Sequence, residues 1–183
     1  MDDIRATVTL TAGSLLLRPW LPDDIPALLT AYADPAIRRG SLSPVSSRQD
    51  AEAWLAMQQD GWASGSRFGF AVIDTARGDT LVGNVMLKGP GPGADHAEVG
   101  YWTAAPARGR GVAPRALGTL TDWAFDRFAA QGLARLELLH QEDNEASCRV
   151  AVKTGYAFGE RVPALPPQFP VEGHRHVRYA PAA

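Results

Sequence analysis

The chain has 183 residues, 45% of them hydrophobic and 21% charged, with a formal net charge of −2. That length suits a single domain over residues 1–183 with a core of its own, and the charge balance excludes a nucleic-acid grip built on overall charge. The one cysteine, Cys148, excludes an internal disulfide and fits a reducing compartment. The opening MDDIRATVTL is acidic and lacks the apolar run of a secretory signal, and no stretch approaches the roughly 20 apolar residues of a membrane span. The expectation is a cytoplasmic protein that engages neither nucleic acid nor membrane.

SLLLRPW predicts a first strand over 14–20. LPDDIPALLTAYADP follows as a helix, with Asp23 or Asp24 at its start and Pro35 beyond its end. SSRQDAEAWLAMQQDGWASG predicts a second helix ending near Gly61 or Gly65. FGFAVID, LVGNVMLKG and HAEVGYWT predict three successive strands, separated by the turn TARGDT and the loop GPGPGAD. PRALGTLTDWAFDRFAAQG predicts a long helix. Its Ala113, Leu117, Leu120, Ala124 and Phe128 share one face, and Gly132 ends it. RLELLH, 135–140, alternates as a strand does. DNEASCRVAVKTG predicts a short helix with Asn144 as N-cap, Lys153 in its last turn and Gly155 after its end. YAFGE and HVRY predict closing strands around the proline-rich loop RVPALPPQFPVEG. The meander and the later strand–helix–strand unit together predict an α/β sheet of mixed direction. No repeat or linker divides the chain.

The stretch ARGRGVA, 107–113, joins a strand to a helix. Glycine there costs conformational entropy. A helix N-terminus offers unpaired N–H groups and about half a positive charge. Gly109 and Gly111 would let a phosphate approach those groups, and Arg108 and Arg110 add charge. The other reading is a tight turn whose glycines relieve backbone strain beside solvated arginines. Two familiar phosphate motifs fail: the third position of a G-x-G-x-x-G fingerprint is Pro114, and the chain has no Gly-Lys pair for a P-loop.

The spacing Arg108-x-x-Gly111-x-Ala113 resembles the acetyl-CoA pyrophosphate loop of the GNAT N-acetyltransferases. EVGYW, NEASCRVAVKTGY and LLLRPWLPDDIPALL resemble further segments of that family's ribosomal-protein acetyltransferase (RimJ/RimL-like) branch, in the right order over residues 14–160. The resemblance implies a mixed, mostly antiparallel sheet of about six or seven strands with about four helices, splayed between its fourth and fifth strands. It implies acetyl-CoA as co-substrate, no metal, and direct attack by a primary amine, either a protein N-terminus or a small molecule. Carried over, Trp102, Thr103 and Ala104 run beside the pantetheine, Arg108, Gly109, Arg110, Gly111, Val112 and Ala113 wrap the pyrophosphate, and Asn144 bonds the pantetheine arm. The tyrosine that many relatives place seven residues after this asparagine is absent, since that position is Ala151. In the branch resembled, a serine takes over the leaving thiolate, and here it is Ser147.

An amine attacks only when neutral. An α-amine of pKa near 7.8 is about one part in seven neutral at pH 7, and a lysine amine about one part in 2,500, a deficit of roughly 4–5 kcal/mol. A base is therefore expected, and the family often holds a carboxylate on the strand that carries Glu98; His140 is the spare candidate. Asn144 also reads as an ordinary N-cap, Glu98 as a surface ion-pair partner, and Ser147 as solvation of a helix start. Cys148 reads as a small buried residue. His174 and His176 share a strand face with Arg178. A histidine pair with no third ligand is a weak metal site; a polar wall of the acceptor pocket is a better reading, and solvent-exposed histidines are the leading expectation. The five tryptophans read as core. A non-catalytic acyl-CoA-binding module is the rival reading. The acceptor pocket is expected from residues 30–50 and 160–176, and the chain as a monomer or homodimer.

Overall fold

The computed structural model describes residues 8–181; the first seven residues, which belong to the acidic opening, lie outside it. Eight strands form one sheet: β1 (Leu10–Ala12), β2 (Leu15–Pro19), β3 (Arg67–Asp74), β4 (Thr80–Lys88), β5 (His96–Thr103), β6 (Arg135–Gln141), β7 (Ala157–Val162) and β8 (Gly173–Tyr179). Their order is β1-β2-β3-β4-β5-β6-β8-β7. Every neighbouring pair is antiparallel except β5 and β6. Five α-helices flank the sheet: α1 (Ile25–Tyr32), α2 (Pro35–Arg39), α3 (Arg48–Ser64), α4 (Val112–Phe128) and α5 (Glu145–Lys153).

Strand alternation sorts the core into two halves. Phe68, Phe70 and Val72 of β3, and Val85 and Leu87 of β4, meet Leu117, Leu120 and Ala124 of α4 on one face. Ala71 and Ile73 meet Leu28 of α1 and Trp54 and Leu55 of α3 on the other. No described helix is long and apolar enough to cross a membrane.

The architecture is the one expected, with an extra strand and an extra helix. The expected first strand is the second arm of a hairpin, because Gly13 turns the chain between β1 and β2. Pro35 does not lie beyond a helix: it is the first residue of α2, where its missing N–H costs nothing, and Asp34 caps that helix by accepting from the Ala36 N–H at 2.8 Å. Asp24 precedes α1 without capping it. Its carboxylate instead takes a bidentate pair from Arg18, at 2.7 and 2.8 Å. Helix α3 runs through Gly61 and stops at Gly65.

Tyr156 ties the start of the C-terminal strands to α4, its hydroxyl 2.7 Å from Thr121 Oγ1. Burial, only partly offset by that hydrogen bond, pushes the phenol up to about 12 from 10.0. The neutral form is thus favoured in the folded state. The folded chain holds more protons than the unfolded one between those values, so stability falls as pH rises from about 10 to about 12, by up to roughly 3 kcal/mol. Urea unfolding across that range should show the decline, and Tyr156→Phe should flatten it. An equal decline in the variant would remove Tyr156 as its source.

Candidate active site

The sheet opens where β5 and β6 part. They pair only through His96–Val99 and Arg135–Leu138. Beyond that, β5 stays bonded to β4 as far as Thr103, and β6 to β8 as far as Gln141. Two strand edges therefore face each other across a gap, with no ladder between Gly100–Thr103 and Leu139–Gln141. Such edges carry backbone groups outside any ladder, although the Thr103 carbonyl is taken by Arg108 Nε and the Gln141 carbonyl by the Asn144 N–H.

The gap leads to the 107–113 turn. Gly109 and Gly111 have φ of 73° and 71°, and a Cβ on either would meet nothing within 4 Å. Glycine is required here first by backbone conformation, while the surrounding space is open. Among the described residues no hydrogen bond takes up the backbone N–H groups of Gly109, Arg110, Gly111, Val112 or Ala113. Five adjacent donors at the start of α4 thus form an open cradle of N–H groups.

The two arginines do not point their charge freely into this cradle. Arg110 pairs at 2.8 Å with Asp74, which is buried, so it ties the turn to the end of β3. Arg108 pairs with Asp34 at 2.5 Å and donates to the Thr103 carbonyl at 3.2 Å. The expectation of solvated or phosphate-facing arginines gives way to a turn braced from both sides, because each guanidinium finds a carboxylate brought near by the fold.

Alternation along β5 gives the gap two unlike walls. Ala97 and Val99 face α4, and Tyr101 packs against the same half of the core. Trp102 packs on the opposite half, edge-on to Tyr32 at 6.0 Å. Glu98 shares the Trp102 face. Its side chain is 44% exposed and meets Lys88 Nζ at 2.5 Å. The ion-pair reading of Glu98 is thus real, and the carboxylate is not buried. The segments around 30–50 and 160–176 do come together, as Gln168 donates to the Leu42 carbonyl at 3.4 Å. Leu29, Tyr32, Arg38 and Val45 border an open depression beside them.

On the α4–α5 wall, Asn144 caps α5 by accepting from the Ser147 N–H at 3.1 Å. Among the described residues its exposed amide NH₂ has no partner. Ser147 is buried, and the Tyr101 hydroxyl donates to its Oγ at 2.9 Å. Burial pushes the Tyr101 phenol up, so it stays a donor. Sequence reading passed over Tyr101. The available signal was its parity with Val99, which puts it on the α5 side of the strand.

The GNAT acetyltransferase domain model matches residues 14–157 of the chain. The chain belongs to the GNAT acetyltransferase family. Among solved structures it resembles a RimL ribosomal L7/L12 alpha-N-protein acetyltransferase in complex with coenzyme A, at 16% identity and TM-score 0.82, over 94% of this chain and 98% of that one. It also resembles the ribosomal-protein-S5-alanine acetyltransferase of Vibrio fischeri, at 16% identity and TM-score 0.80, over 94% and 97%. The microcin C7 self-immunity acetyltransferase MccE, in complex with acetyl-CoA and AMP, aligns at 13% identity and TM-score 0.79, over 91% and 93%. These likenesses speak for the fold. No curated protein matches the chain in sequence.

One constellation in this GNAT domain departs from expectation. His176 is buried, not solvent-exposed. His140 and His174 are opposite one another on β6 and β8, and His176 stands beside them on β8. Cys148 of α5 sits over all three, half-buried rather than buried. Burial lowers the basicity of His140 and His176, and the neighbouring imidazoles lower it further. His140 therefore faces α5 and not the Glu98 wall. The sequence showed only the histidine pair, because the other two donors come from a separate strand and a helix.

Proposed function

We propose that this GNAT enzyme transfers the acetyl group of acetyl-CoA to a primary amine by direct attack in a ternary complex. The observation that carries the proposal is the gap between β5 and β6, which runs from two strand edges with no ladder between them to the five N–H groups of 109–113 that are unpaired among the described residues. The diphosphate of the co-substrate fits that cradle, with Arg108 and Arg110 bracing the turn. The pantetheine fits beside the end of β5 at Trp102 and Thr103 and the Ala104 that follows it, with the Asn144 amide as a further donor. The thioester then lies between a wall carrying Ser147 and a wall carrying Glu98.

Glu98 is the candidate base, acting directly or through water. It is half-exposed and ion-paired, which suits an acceptor needing little help. An α-amine is already about one part in seven neutral at pH 7. A protein N-terminal or small-molecule α-amine is accordingly favoured over a lysine side chain. His140 is a weaker candidate, since it faces α5. The working unit is one domain over 1–183, a cytoplasmic monomer or homodimer, without nucleic-acid or membrane partners.

The test is release of free CoA thiol from acetyl-CoA with peptides bearing only a free α-amine, peptides bearing only a lysine amine, and small amines. Turnover with the α-amine set in preference to the lysine set is expected. Acetyl-CoA binding with no turnover on any amine would leave a non-catalytic module instead. A separate result is expected from Gly111→Val. A β-branched residue at φ near 71° costs on the order of 1–3 kcal/mol, and the turn can escape that strain only by losing its shape. Acetyl-CoA affinity by calorimetry should fall about 10–100-fold. Unchanged affinity would mean the diphosphate does not use this turn.

A further inference from the structure

We propose that His140, Cys148, His174 and His176 form a zinc site that fastens α5 to β6 and β8. One donor atom from each lies within 4.8 Å of the other three, the one such group of this composition among the described residues. Cys148 Sγ is 3.5 Å from His140 Nε2, 3.4 Å from His174 Nδ1 and 3.9 Å from His176 Nε2. In a tetrahedral site with Zn–N near 2.0–2.1 Å and Zn–S near 2.3 Å, the sulfur–nitrogen edges are about 3.6 Å. The three observed sulfur–nitrogen separations bracket that value, and the ring nitrogens lie within 4.8 Å of one another, so rotamer changes that draw the three rings together bring all four ligand atoms to one ion.

Hydrogen bonding would hold this arrangement only weakly, since a thiol is both a weak donor and a weak acceptor. A thiol has one proton to give. The Nδ1 atom of His140 lies 2.7 Å from the Gln141 carbonyl oxygen. A carbonyl only accepts, so the ring proton is on Nδ1 and the Nε2 lone pair is turned to Cys148. That is the outer-shell bond that commonly orients a zinc-bound histidine. The thiol can give its proton to that one lone pair, and the other two imidazoles can meet the sulfur only as N–H donors to a weak acceptor. The rings also crowd one another, with centroids 5.1–6.1 Å apart. A cation at the centre satisfies all four donors at once.

Three imidazoles and one thiolate make a borderline-soft set suited to zinc. All four positions are filled by protein, which describes a closed, structural site rather than one that activates water. The ligands come from β6, α5 and β8. The ion would therefore hold the first turn of α5, with Asn144 and Ser147, against the strand that borders the gap. Cys148, His140 and His174 are all partly exposed, so an ion has a way in.

The experiment uses the full-length protein, stripped with a chelator and titrated with Zn²⁺ alone or Co²⁺ alone. One equivalent of either ion is expected to bind. The cobalt form should show the intense visible bands of four-coordinate Co²⁺ and a near-ultraviolet thiolate-to-cobalt charge-transfer band. Cys148→Ser should abolish the charge-transfer band. His174→Ala should weaken Zn²⁺ binding by more than about 100-fold, beyond the 10–100-fold cost of losing an outer-shell partner. Zn²⁺ at about 100 times its dissociation constant should raise the melting temperature of the stripped wild type by about 5–10 °C. The proposal is overturned if wild-type protein binds less than one equivalent, if its cobalt form lacks the thiolate band, or if binding persists in both variants. The wild-type cobalt spectrum decides the matter even where a variant fails to fold.

Discussion

Replacing Glu98 by Gln is expected to lower kcat/KM for acetylation of a lysine-type amine by about 10²–10⁴-fold, the usual contribution of a general base, and for an α-amine, which needs little help, by less. The substitution keeps the shape of the side chain and removes its charge. It also frees Lys88, whose ammonium meets the carboxylate at 2.5 Å. Lys88→Met separates the two effects: it removes the ion pair and leaves the base. The Glu98→Gln deficit should be larger for acceptors of high pKa, because a smaller share of such an amine is neutral without help. It should shrink as pH rises, as solvent takes over the deprotonation. Steady-state kinetics over a pH series, with a peptide α-amine and a lysine peptide as acceptors, measures both trends. A variant whose pH–rate profile overlays that of the wild type would take Glu98 out of the mechanism.

The second large effect is expected on the opposite wall. Ser147 is buried in the first turn of α5, where the helix dipole favours a developing negative charge, and its oxygen accepts from Tyr101 at 2.9 Å. With that lone pair taken by Tyr101, the serine O–H is polarised and free to point at the departing sulfur of CoA. A serine hydroxyl is a weak acid, so its part is a hydrogen bond to the thiolate as it forms. Ser147→Ala should lower kcat by about 10–100-fold, somewhat less than the 10²–10³ cost of losing a donor to a full oxyanion. The KM for acetyl-CoA should hardly change, since the bond strengthens only in the transition state. Tyr101→Phe should produce a smaller loss, because Tyr101 is a positioning residue acting through Ser147. Adding Tyr101→Phe to Ser147→Ala should cost almost nothing more. Additive losses in the double variant would show that Tyr101 acts by another route, and a wild-type kcat in Ser147→Ala would show that the sulfur leaves unaided.

Local order in the chain made most of the elements readable. Helix α4 followed from its apolar face, α5 from Asn144 and Gly155, and the meander from alternating strands, because each signal lies within one turn or one pleat. The short elements were missed for a related reason. β1 spans three residues and α2 five, too few for a period to declare itself. Pro35 could equally mark a helix end or a helix start, and only the Asp34 cap distinguishes them.

The sequence by itself determined the turn at 107–113, the two glycines that its backbone conformation requires, and the place of Asn144 and Ser147 at a helix start. These depend on neighbours within a few residues. Tertiary structure alone decided what the charged and polar side chains do. Arg110 meets Asp74 across 36 positions, Tyr101 meets Ser147 across 46, and Cys148 reaches His176 across 28. It also decided that β5 and β6 part after Val99 and Leu138. Pairings of that kind are fixed by sheet order and by which face of a strand a residue occupies, and that order is set only when distant strands align to bury a shared core.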